Sequence, residues 1–280
     1  MPGPDAQPTP PLSPPSVPAD ATDAVDASPV VVYEVADRIA TIILNRPQVR
    51  NALSSEVLVA LWEAMEHAGH DDSVEVIILT GADPAFCAGL DLAELASSGA
   101  NLSATAGRGA HRGPFPRIDK PLIGAINGVA VTGGFELALN CDFLIASERA
   151  QFGDTHSRVG VMPGWGLTVL LPQAIGIRRA REMSYTGNFI DAQQALEWGL
   201  VNRVVPHEEL MAVTRSIAID IIGNDTDGVR QIRSTYDAIA HDDDHWEIEA
   251  RDSRAWQRSR FAPTSVAERQ QAIIERGRAQ

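Results

Sequence analysis

Cysteine and lysine are the scarce residues of this 280-residue chain. Only Cys87 and Cys141 are present, each inside an apolar run and without the spacing of a metal-ligand set or a disulfide framework. They read as small buried residues in a reducing compartment, so a cytoplasmic location is expected. Lys120 is the single lysine, and the other basic residues are arginines. The 23 basic residues fall short of the 37 acidic ones, for a net charge of −14. No basic stripe exists to release counterions, which argues against nucleic acid as a partner. No stretch approaches the roughly 18 to 20 consecutive apolar residues of a membrane span. The N-terminus lacks the basic flank and apolar segment of a secretory leader, and no repeat points to a solenoid or propeller. With 44% hydrophobic and 21% charged residues, the chain can bury one sizeable core. Collagen-like, coiled-coil and wholly disordered classes are thereby excluded.

Residues 1–28 stand apart in composition, with eight prolines among the first 20 positions and almost nothing to bury. A disordered, partly polyproline-like tail is expected there. Short β-branched runs follow at 30–35, 39–44 and 74–80, and they read as strands. Between the second and third, Leu58, Leu61, Trp62 and Met65 recur at helical spacing; Ser54 is placed to cap this helix and Glu56 suits its first turn. Strand, helix and strand in that order predict a crossover unit, hence a largely parallel sheet covered by helices. A second set repeats the order: a strand near 122–126, a glycine turn, a helix through 135–140 and a strand at 143–146. The last third is mostly helical, with one helix from an Asp191 cap to Gly199, others at 208–222 and around 229–239, and a final one from Pro263.

Chemistry concentrates in two segments. In the first, 127–142, the pair Gly133-Gly134 separates a strand from a helix, which lets the backbone approach a ligand and leaves the first helical amides unpaired. Such amides suit an anion or a developing oxyanion. Glu136 follows one turn later on about the same face. A carboxylate beside an anion-stabilising amide is the pairing needed for proton transfer next to a polarised carbonyl; the plain alternative is a tight helix start with a surface glutamate. The second segment, 81–92, is again a strand end, small residues and a helix start. Two such turns at the carboxyl ends of neighbouring strands could each supply one amide to a common oxyanion hole.

Four ordered sets of residues resemble one family. These are Leu44-Asn45-Arg46-Pro47 with Arg50-Asn51-Ala52-Leu53; Phe86-Cys87-Ala88-Gly89-Leu90-Asp91-Leu92; Asn127-Gly128 with Gly133-Gly134-Phe135-Glu136-Leu137-Ala138; and Gln151-Phe152-Gly153 with Pro163-Gly164. In order and spacing, from about residue 30 to the C-terminus, they resemble the enoyl-CoA hydratase/isomerase family, or crotonase superfamily. The resemblance implies an α/β fold, a crotonase-like spiral of ββα units over 29–205, with a helical C-terminal trimerisation region over 206–280. It also implies a homo-trimer or hexamer acting on an acyl-CoA thioester, with no cofactor beyond the coenzyme A of the substrate. Carried over by residue, the amides of Leu90 and Gly133 would hold the thioester oxygen. Gln48, Val49, Arg50 and Ala52, with Ala88, Gly89 and Leu92, would line the coenzyme A. Glu136 would be the first catalytic glutamate, and Arg269, Arg276 and Arg278 are candidates for the phosphate site.

The chain departs from the family where a hydratase carries its second glutamate: Phe152-Gly153-Asp154-Thr155-His156 places His156 there, with Asp154 two residues away. Imidazole does acid/base work near neutral pH, so hydration of a 2-enoyl-CoA remains the leading expectation. Isomerisation or decarboxylation on the same enolate site, which needs a single base, and silent acyl-CoA binding stand as alternatives. Thr132 occupies a position that is mostly glycine or alanine in the family. Trp165 and Leu167 bring bulk to a turn that is normally small. These changes either reshape the acyl pocket or repack the turn. No metal is expected: the run 241–245 has ligand-type residues but reads as a solvated turn. His67 and His70 suit a helix end, Trp246 and Trp256 read as core or subunit contact, and Asp83-Pro84 reads as a turn.

Overall fold

The computed structural model describes residues 28–105, 108, 113–240, 243–260 and 263–278. The proline-rich tail, apart from Ser28, and His241 and Asp242 of the acidic run lie outside the described residues, as do the side chains of Asp243, Asp244 and Arg269.

After an edge strand β1 (Val31–Ala36), the chain repeats one pattern: a strand in a large sheet, a tight turn, a short strand in a second sheet, then a helix. In the first repeat β2 (Ile39–Leu44) leads to a single bridging residue, Leu53, and to α1 (Ser55–His70). The next three are β3 (Val76–Gly81), β4 (Ala85–Cys87) and α2 (Leu92–Ser97); β5 (Leu122–Ile126), β6 (Val129–Val131) and α3 (Gly133–Leu139); and β7 (Phe143–Ser147), β8 (Gln151–Gly153) and α4 (His156–Val159). Then come α5 (Leu167–Ile175), α6 (Ile177–Thr186), β9 (Ile190–Asp191), α7 (Ala192–Trp198), β10 (Arg203–Val205), α8 (Leu210–Ile222), α9 (Thr226–Ala240), α10 (Asp243–Arg260) and α11 (Pro263–Arg278). The large sheet runs β1-β2-β3-β5-β7-β10 and the small one β4-β6-β8-β9. In the large sheet every pairing from β2 to β10 is parallel and β1 is antiparallel to β2; in the small sheet β4, β6 and β8 are parallel and β9 is antiparallel to β8. Because each repeat adds the next strand on the same side, the chain advances as a spiral.

Side-chain alternation explains the layers. Ile77 and Leu79 of β3 enter the main core with α1 and the small sheet, whereas Val76 and Ile78 face the other way, with Ile123 and Ile145, against Leu210 and Ala218 of α8. Both faces are covered, which is why β3 and β5 are buried throughout and almost wholly apolar, with the Thr80 hydroxyl satisfied by Ala125 O at 2.8 Å. Helix α1 forms as its spacing predicts: the Ser54 hydroxyl accepts from the Val57 amide, and Val57, Leu58, Leu61, Trp62, Met65 and Ala68 are buried. Asp191 caps α7 through the Gln194 amide, and Gly199 ends it in a left-handed conformation. Cys87 and Cys141 are free and buried, and burial pushes the Cys87 thiol up to about 12.

Two expectations shift. The strand expected at 74–80 starts at Val76, because the Val74 amide closes a turn onto Asp71 O at 2.9 Å. The small sheet was not legible: its strands are two or three residues long, too short to display alternation, and their flanking glycines read as turns.

Candidate active site

Strands β4, β6 and β8 are parallel neighbours, so the residues just beyond their C-terminal ends converge. These are Leu90, Gly133 and His156. Leu53 bridges to the first of these turns: its amide donates to Gly89 O at 2.8 Å and its carbonyl accepts from Asp91 N at 3.0 Å, so the N–H of Leu90 faces away from that bridge. Gly89 has φ +81° and its Cα lies so close to Val131 O that a Cβ there would sit 2.8 Å away. At Gly134 the fit is tighter, with a Cβ 2.3 Å from Cys87 O. Only glycine lets α3 seat directly on β4. Leu90, Gly133, Glu136, His156 and Trp165 line one cavity of about 50 Å³.

Glu136, in the first turn of α3, is 3% exposed. Its Oε1 accepts from the amides of Gly164 at 3.2 Å and Trp165 at 2.8 Å, which leaves Oε2 turned to His156 Nε2 at 3.2 Å. His156 is 5% exposed, and its Nδ1 lies 2.6 Å from Asp154 Oδ1. Burial works to lower the imidazole's pKa, but the Glu136 and Asp154 carboxylates outweigh it and push the value up to about 10. His156 is therefore an imidazolium at neutral pH. Burial works to raise the Asp154 pKa; the hydrogen bond and charge of His156, helped by Ser184, hold it below the ordinary carboxylate value. The result is a hydrogen-bonded Asp154–His156–Glu136 array whose last two members line the cavity.

The enoyl-CoA hydratase/isomerase family profile matches residues 34–280. The chain belongs to that family. It is 40% identical over 212 residues to a protein of Arabidopsis thaliana named "Probable enoyl-CoA hydratase 1, peroxisomal", covering 73% of this chain and 77% of that one. It is 38% identical over 207 residues to the crotonyl-CoA hydratase of Syntrophomonas wolfei, covering 71% and 78%. Among solved structures, the enoyl-CoA hydratase from Mycobacterium smegmatis superposes with a TM-score of 0.74 at 49% identity, covering 83% of this chain and all of that one. The fold is thus the family's α/β spiral with a helical C-terminal region.

Set against the family, the other site residues of this hydratase/isomerase-family chain separate into groups. Asp154 does not join the cavity: it is 2% exposed and lies behind His156. Gln48, Val49 and Arg50 are exposed, on and just after a short turn at Pro47–Val49. Ala52, Ala88, Gly89 and Leu92 belong to the two strips tied together by Ala88 N to Arg50 O at 2.9 Å and by the Leu53 bridge. Arg50 and Arg278 line a second cavity of about 280 Å³. Residues the sequence did not point to also line the small cavity: Asn101, Leu102, Val161, Met162, and Ser253 and Gln257 one turn apart on α10. The last two carry no local signal, since a polar pair at i, i+4 on a charged helix looks like a solvated face. Trp246 packs against Gly166, and the indole of Trp256 donates to Gly160 O at 3.1 Å, as structural contacts. Among the described residues no group of three or more His, Cys, Asp or Glu is arranged to hold a metal.

Thr132 carries strain at this site. Its backbone has φ 53° and ψ −123°, a region that costs a non-glycine residue about 1–3 kcal/mol. Its hydroxyl offsets part of that cost by pairing with the Thr155 hydroxyl. Thr132→Ala keeps the strain and loses the hydrogen bond, whereas Thr132→Gly loses the bond and relieves the strain. We expect the glycine variant to be the more stable of the two by about 1 kcal/mol, reversing the usual order. Thermal unfolding of both variants checks this, and a more stable alanine variant would remove the strain argument.

Proposed function

We propose that this chain is a 2-enoyl-CoA hydratase, a carbon–oxygen lyase that adds water reversibly to the conjugated double bond of an acyl-CoA thioester. One observation carries the reading: Glu136 Oε2 and His156 Nε2 stand 3.2 Å apart on a cavity that Leu90 and Gly133 also line. The thioester oxygen accepts from the amides of Leu90 and Gly133, each such donor being worth about 2.7–4 kcal/mol in the transition state. Glu136 takes a proton from water as its oxygen bonds to C3. The electron pair of the double bond moves to C2, through an enolate held by the two amides, and His156 delivers its proton to C2. Glu136 then carries one proton more and His156 one fewer, and transfer across their hydrogen bond restores both. Isomerisation and decarboxylation need one base, so two acid/base groups facing one cavity favour hydration.

Arg50 and Arg278 around the second cavity support a site for the phosphates of coenzyme A, reached along Gln48, Val49, Ala52, Ala88, Gly89 and Leu92, whereas Arg276 donates to Thr186 O at 3.3 Å. A net charge of −14 repels this anion at long range, so the local arginines and backbone amides carry its binding. The reading needs no cofactor. Exposed Ile219, Ile232 and Tyr236 on α8 and α9 support a trimer or hexamer built through the helical region 206–280. Among the described residues no helix is long and apolar enough to cross a membrane, and we place the enzyme in the cytoplasm.

The Trp165 ring lies 3.1 Å from where a Cβ of Gly133 would be and lines the same cavity as Glu136 and His156. Its bulk beside the acid/base pair favours a short acyl group. Hydration assayed by loss of the conjugated thioester absorbance should be fastest with crotonyl-CoA and fall with octenoyl-CoA. Trp165→Ala should raise the octenoyl-to-crotonyl ratio of kcat/KM at least about 10-fold; an unchanged ratio would mean that Trp165 does not bound the acyl group. Conversion of a 3-enoyl-CoA to its 2-enoyl isomer without water addition would replace the hydratase reading by an isomerase, and binding with no turnover by a silent carrier.

A further inference from the structure

The turn that holds Glu136 is held in its own right from the far side. Gly164 and Trp165 point their amides at Glu136 Oε1. The next donors along the chain point the opposite way: Gly166 N reaches Glu249 Oε1 at 2.5 Å, Thr168 N reaches Glu249 Oε2 at 2.7 Å, and the Thr168 hydroxyl bonds the same oxygen. Glu249 lies on α10, 83 residues beyond Gly166, and is 6% exposed. Helix α5 begins with Gly166 at its N-cap, which has no side chain to offer, so Glu249 supplies the missing cap from another helix. On the third side Asn140 donates to Trp165 O at 2.7 Å and to Glu136 O at 2.8 Å.

We propose that Glu249 is a positioning residue for the acid/base site: it clamps the 164–168 turn so that the turn's two outward amides bind Glu136 Oε1 and leave Oε2 aimed at His156 and the cavity. This rests on the hydratase reading for its consequence in rate, but not for its geometry. Glu249 does not line the cavity and acts only through the turn. Burial first, and then the negative charge of Glu136, raise the Glu249 pKa, which places the two carboxylates within electrostatic reach across the turn. The groups facing Glu136 are His156 from α4, with Asp154 behind it, and Glu249 from α10.

Glu249→Gln keeps the shape but removes the charge and sets an amide NH₂ against backbone donors. It should lower kcat for crotonyl-CoA hydration about 10- to 100-fold with KM within about threefold, because a displacement of order 1 Å costs up to about 100-fold. The limbs of the pH profile of kcat should move to lower pH, since a negative charge within electrostatic reach of the site has been withdrawn. Glu249→Asp, which retains the charge, should restore the limbs even where it recovers only part of the rate. A merely structural glutamate would change the melting temperature and leave the profile in place. A Glu249→Gln enzyme within twofold of wild type in kcat, with unmoved limbs, would overturn the proposal. Should the wild-type protein turn over no enoyl-CoA, the hydratase reading fails and the clamp is read separately. The ring ¹⁵N resonances of His156, assigned by difference from His156→Gln, should shift in Glu249→Gln if the clamp sets the Glu136 geometry. Unchanged resonances refute it.

Discussion

Glu136→Gln should lower kcat for crotonyl-CoA hydration by about 10²- to 10⁴-fold, with KM changed only a fewfold. The carboxylate is already divided in its duties: Oε1 is spent on the Gly164 and Trp165 amides, and Oε2 faces His156. Glutamine can keep its carbonyl oxygen on the two amides, so the turn and the fold survive. Its NH₂ then meets the Nε2–H of the His156 imidazolium, donor against donor, and no group remains to take the proton from water or return one to His156. The Leu90 and Gly133 amides and the coenzyme A contacts are untouched, which is why the loss belongs in kcat. Steady-state kinetics beside a circular dichroism spectrum of the variant suffice. A rate within twofold of wild type would show that another group is the base.

The second large effect concerns stability. His156 is a cation buried between two carboxylates, and its folded pKa of about 10 stands above its ordinary 6.5. The proton is bound more tightly in the folded state, so the stability it contributes is fully present below about pH 6.5 and is lost as pH rises toward 10. Asp154 has the opposite sign: its folded pKa is lowered from 3.8, so its contribution is present above that value and is lost as pH falls through the folded pKa. Wild-type stability should therefore be highest at mildly acidic pH and decline steadily into the alkaline range. His156→Gln leaves Glu136 and Asp154 buried without their counter-ion, a loss of about 3–5 kcal/mol at neutral pH by analogy with broken buried pairs. In that variant acidification should stabilise, because protonation removes the uncompensated charges. Thermal unfolding of both proteins from about pH 5 to 10 gives curves that converge at high pH if this is right. Parallel curves would mean that His156 is neutral in the folded protein.

Legibility differed between parts of the molecule for identifiable reasons. Helix α1 could be read because Leu58, Leu61, Trp62 and Met65 declare a 3.6-residue period and Ser54 a cap, and both signals are local. Strands β2, β3 and β5 were readable because burial on both faces makes them short, mostly apolar runs. The small sheet was hidden, since three residues such as Gln151–Gly153 make a strand only when neighbours supply the hydrogen bonds. At the site, Leu90, Gly133, Glu136, His156 and Trp165 were found through motifs, and the structure brings all five to one cavity. Asp154, two residues before His156 in the sequence, lies outside the cavity lining and is the buried hydrogen-bond partner of His156 Nδ1. Ser253, Gln257 and Glu249 were not found, because on α10 they are three polar residues among many.

By itself the sequence determined what depends on near neighbours: the family, the order of the five longer strands and of helices α1, α3, α7, α8, α9 and α11, the glycines at 89, 133 and 134, and the substitution of a histidine where a second glutamate is usual. Only the tertiary structure decided what that histidine does. Its charge state is set by Glu136, twenty residues earlier, and by Asp154, and Glu136 in turn is oriented by a turn that Glu249 caps from a distant helix. Protonation in a buried site depends on distances of about three ångströms between groups far apart in the chain, and no local pattern encodes those distances.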